Sequence, residues 1–338
     1  MRTGKLPADI LRSEVFARVS GTARPEVLVP PAIGEDCSVV DFGEYVCVIS
    51  SDPITGSVEG VGRLAVHVTC NDIASNGVEP LGIMVTLLVP EGTQYSEISD
   101  IMQDIVEEAS SIGVAILGGH TELTSAVSRV VISSTAIGKA LKDGYVTSSG
   151  AKPGDALIMT KTAALEGTAI LASDFGYLMQ DKIAPAMLDE AKGYLSLLSV
   201  VKEGIEAAKA GVHAMHDATE GGIIGAVSEL AEAAGIGVEL NIASVPITDA
   251  SKSICGALEV DPYCLVSSGS MVIAAPDGEK VVSHLHEIGI NATIIGKFLE
   301  EERFIYGGPQ GKIPLTAPKR DEIYRVMEEY SKRGGKDA

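Results

Sequence analysis

The residues best suited to chemistry in this chain are carboxylates that stand beside glycines or at the ends of apolar runs. They are Asp36 in Gly34-Glu35-Asp36, Asp52 in Ser51-Asp52-Pro53, and Asp72 in Cys70-Asn71-Asp72-Ile73-Ala74. Two more are Glu122 in Gly118-Gly119-His120-Thr121-Glu122 and Asp217 in His216-Asp217-Ala218-Thr219-Glu220-Gly221-Gly222. Each alone has a structural explanation: a turn at Asp36, an Asx turn at Asp52, a solvated helix face at Asp72, a helix cap at Asp217. The combination points elsewhere. Oxygen-only ligands suit Mg²⁺, which takes a few carboxylates and fills its shell with water and substrate phosphates. Paired glycines let backbone amides approach phosphate oxygens, and a helix opening at Gly221-Gly222 adds its positive end. The set reads as a metal-bridged polyphosphate site.

Competing chemistries lack their motifs. No GxxxxGK[ST] is present, because the Gly-Lys pairs have neither the spacing nor a following Ser or Thr. A complete GxGxxG after a strand, HExxH and GxSxG are also missing. His213-Ala214-Met215-His216 has no third ligand nearby in sequence and is read as structural rather than as a metal pair.

The elements that must position these residues follow from pattern. Tyr45 to Ser50 is a β-rich run, so Asp52 is expected at a strand's carboxyl end. Val61 to Ser75 is a helix carrying Asn71 and Asp72, and Leu81 to Val89 is an apolar strand. Ile98, Ile101, Met102, Ile105, Ala109 and Ile112 keep helical spacing up to Gly113. Val114 to Leu117 reads as a buried strand running into Gly118-Gly119, and Arg129 to Ile137 as another strand. The turn formers between Ser148 and Asp155 mark a boundary, giving domains 1–150 and 151–338. The second half restarts with strand Ala156 to Met159 and a helix near Ala163 to Ala172, then a polar helical stretch from Ala184 to Ala210. Helix Gly222 to Ala234, strands Val238 to Ile242 and Met271 to Ala275, helix Gly278 to Ile288, strand Thr293 to Phe298 and a charged tail helix complete it. Interleaved strands and helices in both halves make the class α/β or α+β in two domains.

Composition narrows the partners. In 338 residues, 46 acidic against 26 basic side chains leave a net charge of −20, which repels nucleic-acid phosphates and anionic membranes. The five cysteines are odd in number and show no CxxC spacing, so reduced thiols are expected rather than disulfides or zinc. No apolar h-region opens the chain and no run approaches the roughly 20 apolar residues of a membrane span, so a cytoplasmic location is expected.

In order and spacing, the five carboxylate motifs resemble the aminoimidazole ribonucleotide (AIR) synthase superfamily, from about residue 30 to residue 300. That superfamily includes HypE, thiamine-monophosphate kinase, selenophosphate synthetase and formylglycinamidine synthase. The resemblance implies an N-terminal domain whose strands build a β-barrel across a homodimer, covered by a C-terminal α/β domain, with ATP and Mg²⁺ in the cleft. Carried over by position, Asp36, Asp52, Asp72, Glu122 and Asp217 are expected to bind metal or phosphate. Asn71 and Asp217 would orient the nucleotide, Gly118, Gly119, Thr121, Gly221 and Gly222 would line it, and His120 would join Asp72 and Asp217 in catalysis. The Thr3-Gly4-Lys5-Leu6-Pro7 start resembles a mobile leader of HypE-like members, so Lys5 is expected to swing over the phosphates. The likeness is strongest to HypE, which implies phosphoryl transfer to an amide or carbamoyl-type substrate and hydrogenase-maturation partners. HypE-type dehydratases carry their substrate on a C-terminal cysteine, whereas the last cysteine here is Cys264, so no cysteine is expected to take that role. The alternatives are a small-molecule kinase of the thiamine-monophosphate type, which would favour Asp at His120, and a nonenzymatic nucleotide-binding assembly partner.

Overall fold

The computed structural model describes residues 4–55 and 60–334. Thr3 of the leader and the tail from Gly335 onward lie outside the described residues. The first sheet uses six strands: β1 (Val27–Val29), β2 (Ser38–Asp41), β3 (Tyr45–Ile54), β4 (Pro80–Pro90), β5 (Ala115–Thr124) and β6 (Val131–Leu141). Their spatial order is β1-β2-β3-β6-β4-β5, antiparallel except for the parallel pair β4–β5. In β3 and β6, burial alternates along the strand, so Val46, Val48, Ile132 and Ala136 meet the helices while their neighbours face the other side. Those helices are α1 (Val61–Ser75) and α2 (Tyr95–Ser111). Helix α1 is buried nearly all round, which is why its polar Asn71 and Asp72 carry no amphipathic signature.

The second sheet comprises β7 (Ala156–Thr160), β8 (Ala214–Asp217), β9 (Gly237–Asn241), β10 (Met271–Ala275), β11 (Ala292–Leu299), β12 (Arg303–Gly308) and β13 (Gly311–Pro314). The order is β13-β12-β9-β11-β7-β10-β8, with only β9–β12 parallel. Its helices are α3 (Leu165–Asp174), α4 (Pro185–Lys192), α5 (Val201–Ala210), α6 (Gly222–Ala234), α7 (Asp249–Ala257), α8 (Gly278–Glu287) and α9 (Glu322–Gly334). Leu157, Met159, Val272 and Ala274 pack with Ile223 and Val227 of α6, whereas Ile158 and Ile273 pack with α5 and α8. Burial on both faces explains the unbroken apolar runs of β7 and β10.

Two expectations change. The Gly118-Gly119-His120-Thr121-Glu122 segment does not follow a buried strand; it lies inside β5, an exposed edge strand. Gly119 is required there because a Cβ would stand 1.8 Å from the Val85 carbonyl oxygen. The polar stretch after Ala184 divides into α4 and α5. The first sheet of the chain is open, with β1 and β5 as its edges.

Candidate active site

Between the two sheets lies a cavity of about 850 Å³, a size suited to a small-molecule ligand. The first domain supplies Asp36, Ser50, Asp52 and Asp72 to its wall; the second supplies Glu166, His216 and Thr219. Ser50 and Asp52 are two residues apart on β3 and so share a face, which looks onto Asp72 of α1. The Ser50 hydroxyl donates to an Asp72 oxygen. Burial, with repulsion from Asp52 and Asp217, pushes the Asp72 carboxyl well above the usual carboxylate range.

Asp36 and Asp217 meet from opposite domains around His216. Asp217 ends β8, the edge strand of the second sheet, and His216 precedes it. His216 Nδ1 stands 3.1 Å from Asp36 Oδ2 and 3.9 Å from Asp217 Oδ1, while Nε2 is 3.1 Å from Glu229 Oε2 of α6. Burial raises the Asp36 carboxyl to about 7 despite the opposing His216 charge. Burial works against a charged His216, but Asp36 and its neighbours outweigh it and lift the imidazole well above its ordinary value. Glu229 goes the other way: burial opposes its charge, yet His216 and Lys5 bring it down to about 2.

Asp36 Oδ2, His216 Nδ1 and both Asp217 carboxylate oxygens are buried without a hydrogen-bond partner. Ligand atoms of the three residues all lie within 4.8 Å of one another. Two buried carboxylates this close, one beside His216 alone and the other with no hydrogen-bond partner, are costly unless a cation joins them, so the donor set fits a divalent metal.

The other expected site residues fall in four places. Lys5 reaches the cavity mouth, where its Nζ pairs with Glu229 at 2.8 Å and its amide donates to Glu220. Asn71 is fully buried and accounted for: its Nδ2 donates to the Leu198 carbonyl and its Oδ1 accepts from the Val200 amide, each at 2.8 Å. It ties α1 to the second domain rather than facing a ligand. The Gly221 amide donates to Asp321 and the Gly222 amide to the Thr219 carbonyl, so neither is free for a phosphate. Gly222 is needed for close approach, since a Cβ would lie 2.6 Å from the Leu265 carbonyl oxygen. Gly118, Gly119, His120, Thr121 and Glu122 sit on β5, three strand positions from β3, or roughly 14 Å across the sheet. The same protomer's cluster does not include them.

Sequence reasoning missed His216, Glu229, Ser50 and Glu166. Rejecting His213 and His216 as a pair is consistent with the structure, because His213 turns instead to Asp155 at 2.9 Å. His216 nevertheless meets Asp36 from the other domain as well as its neighbour Asp217 and Glu229 of α6, and the contact with Asp36 has no local sequence signal.

Comparisons with known proteins identify the family and the fold. The AIR synthase related protein N-terminal domain matches residues 34–140, and the corresponding C-terminal domain matches residues 152–307. A Methanocaldococcus jannaschii protein, provisionally named a hydrogenase expression/formation protein, is 31% identical over 96% of this chain and 97% of its own length. The chain belongs to the AIR synthase related family. The Escherichia coli carbamoyl dehydratase HypE is 26% identical over 81% of each chain. A solved HypE in complex with ATP shares the fold, with TM-score 0.72 and 20% identity over 96% of this chain and 98% of that one. The AIR synthase-like two-domain fold accounts for a cleft walled by both sheets.

Proposed function

We propose that this AIR synthase related enzyme binds Mg-ATP in the cleft and transfers a phosphoryl group to an amide or carbamoyl-type oxygen of a small substrate, in hydrogenase maturation. The observation that carries this reading is the convergence of Asp36, Asp52 and Asp72 on one cavity, with Asp217 of the second domain beside Asp36 and both of its oxygens without a donor. Asp36, Asp72 and Asp217 hold the metal, and Asp52 faces the same volume from β3. When bound, the metal neutralises the phosphate charge that an acidic protein would otherwise repel. The residues themselves position rather than react. Lys5 can exchange Glu229 for a phosphate without leaving the cavity mouth.

The reading includes a homodimer. Leu81 and Met84 of β4 and Ile116, Leu117 and Leu123 of β5 are exposed together at one edge of the first sheet. Pairing these surfaces would cover the edge and place His120, Thr121 and Glu122 of one protomer beside the cleft of the other.

Calorimetry with Mg²⁺ and ATP tests the site: Asp72→Asn is expected to weaken nucleotide binding about tenfold or more, as loss of a ligand does. Unchanged affinity removes the assignment. Product mass separates this chemistry from a thiamine-monophosphate-type kinase, whose product keeps the phosphate.

A further inference from the structure

Glu229 gives His216 the surroundings of a metal-bound imidazole. Its Oε2 contacts Nε2 at 3.1 Å, and its other oxygen, Oε1, is held by Lys5 at 2.8 Å. A carboxylate on one ring nitrogen fixes the tautomer and turns the lone pair of the other outward, as in metal sites whose histidines are backed by carboxylates. Here the outward nitrogen is Nδ1, which points at Asp36 and Asp217. It makes no hydrogen bond to either, although Asp36 Oδ2 is only 3.1 Å away. Donor atoms about 2.1 Å from one shared ion stand roughly 3.0–3.4 Å apart in octahedral or tetrahedral geometry. The Asp36–His216 separation falls in that range. His216 is only 3% exposed, so an unpartnered Nδ1 there is costly.

We propose that His216 is itself a metal ligand, and that Asp36, His216 and Asp217 form a mixed nitrogen–oxygen site favouring Mn²⁺ or a similar borderline divalent ion over Mg²⁺. The proposal rests on the reading of the cleft as a divalent-metal site and specifies one of its ions. An imidazole is a poor ligand for hard Mg²⁺ and a good one for first-row transition ions, so one histidine among carboxylates biases the choice.

The test uses the full chain labelled with ¹⁵N-histidine and loaded with Mn²⁺, with and without ADP, and observed by pulsed electron paramagnetic resonance. The expected result is a ¹⁵N coupling of directly bound imidazole, lost in His216→Asn and retained in His213→Asn. In parallel, His216→Asn is expected to lower Mn²⁺ affinity about tenfold while changing Mg²⁺ affinity much less. Bound Mn²⁺ without histidine coupling overturns the proposal and leaves the nucleotide reading standing. Histidine coupling in a protein that fails to bind ATP supports the proposal and removes the nucleotide reading. No Mn²⁺ binding under either condition overturns both. If His216→Asn fails to fold, a coupling that survives in both His120→Asn and His213→Asn supports His216, and a wild-type spectrum without coupling overturns the proposal.

Discussion

Glu166 lies on α3 in the cavity wall, with one carboxylate oxygen lacking any partner. Burial lifts this carboxyl to about 7 from 4.5, with the Ser268 hydrogen bond opposing. A raised carboxyl binds its proton more tightly in the folded than in the unfolded chain. Its contribution is therefore fully present below about pH 4.5 and is lost as pH rises through about 7. Glu166→Gln should match the wild type at pH 4.5 and exceed it at pH 8 by on the order of 2 kcal/mol, read from denaturant midpoints across pH. The thiols obey the same physics. Burial pushes Cys70, Cys255 and Cys264 up to about 12, and Cys37, although it lines the cavity, lies well above its ordinary value. Such thiols stay protonated and make poor nucleophiles. Incubation with a carbamoyl donor system and ATP is expected to leave no carbamoyl or cyano adduct on any cysteine by peptide mass spectrometry. An adduct that loses water only with ATP would restore a HypE-type cysteine-borne reaction.

At the scale of elements, α1 carries two unlike neighbours. Asp72 faces the cavity, while Asn71 turns to the 198–200 segment of the second domain and satisfies two backbone groups there. Asn71→Ala would leave a buried carbonyl and a buried amide unpaired, at a cost of about 2–3 kcal/mol. Chemical denaturation should show that loss, with ATP affinity falling only as far as the interdomain geometry loosens. A variant that keeps full stability would show that water replaces the carboxamide.

For the whole molecule, the chain has a cleft between its sheets and an exposed strand bearing His120 and Glu122 well away from that cleft. The homodimer we propose would cover that strand. Light scattering at micromolar concentration is expected to give twice the mass of the 35.1 kDa chain. Met84→Lys with Leu117→Lys should produce a monomer that has lost nucleotide binding by calorimetry. A wild-type monomer, or a monomeric variant with full affinity, removes the dimer from the site. No described helix is long and apolar enough to cross a membrane.

The sequence by itself determined many of the elements and the family. The Asn71-Asp72 helix, the helix opening at Gly222 and the strand Met271–Ala275 were legible because local periodicity and glycine placement act within a few residues. The carboxylates were legible as a set because their types and order suit a metal-bridged phosphate. Tertiary structure alone decided which of them converge. Asp36 and Asp217 meet across the domain boundary, and Glu229 selects which nitrogen of His216 faces them. The same packing takes Asn71 and the Gly221 amide for structure and leaves β5 on the surface. Hydrogen-bond capacity and burial are properties of the assembled neighbourhood, and side chains distant in sequence contribute most of that neighbourhood here.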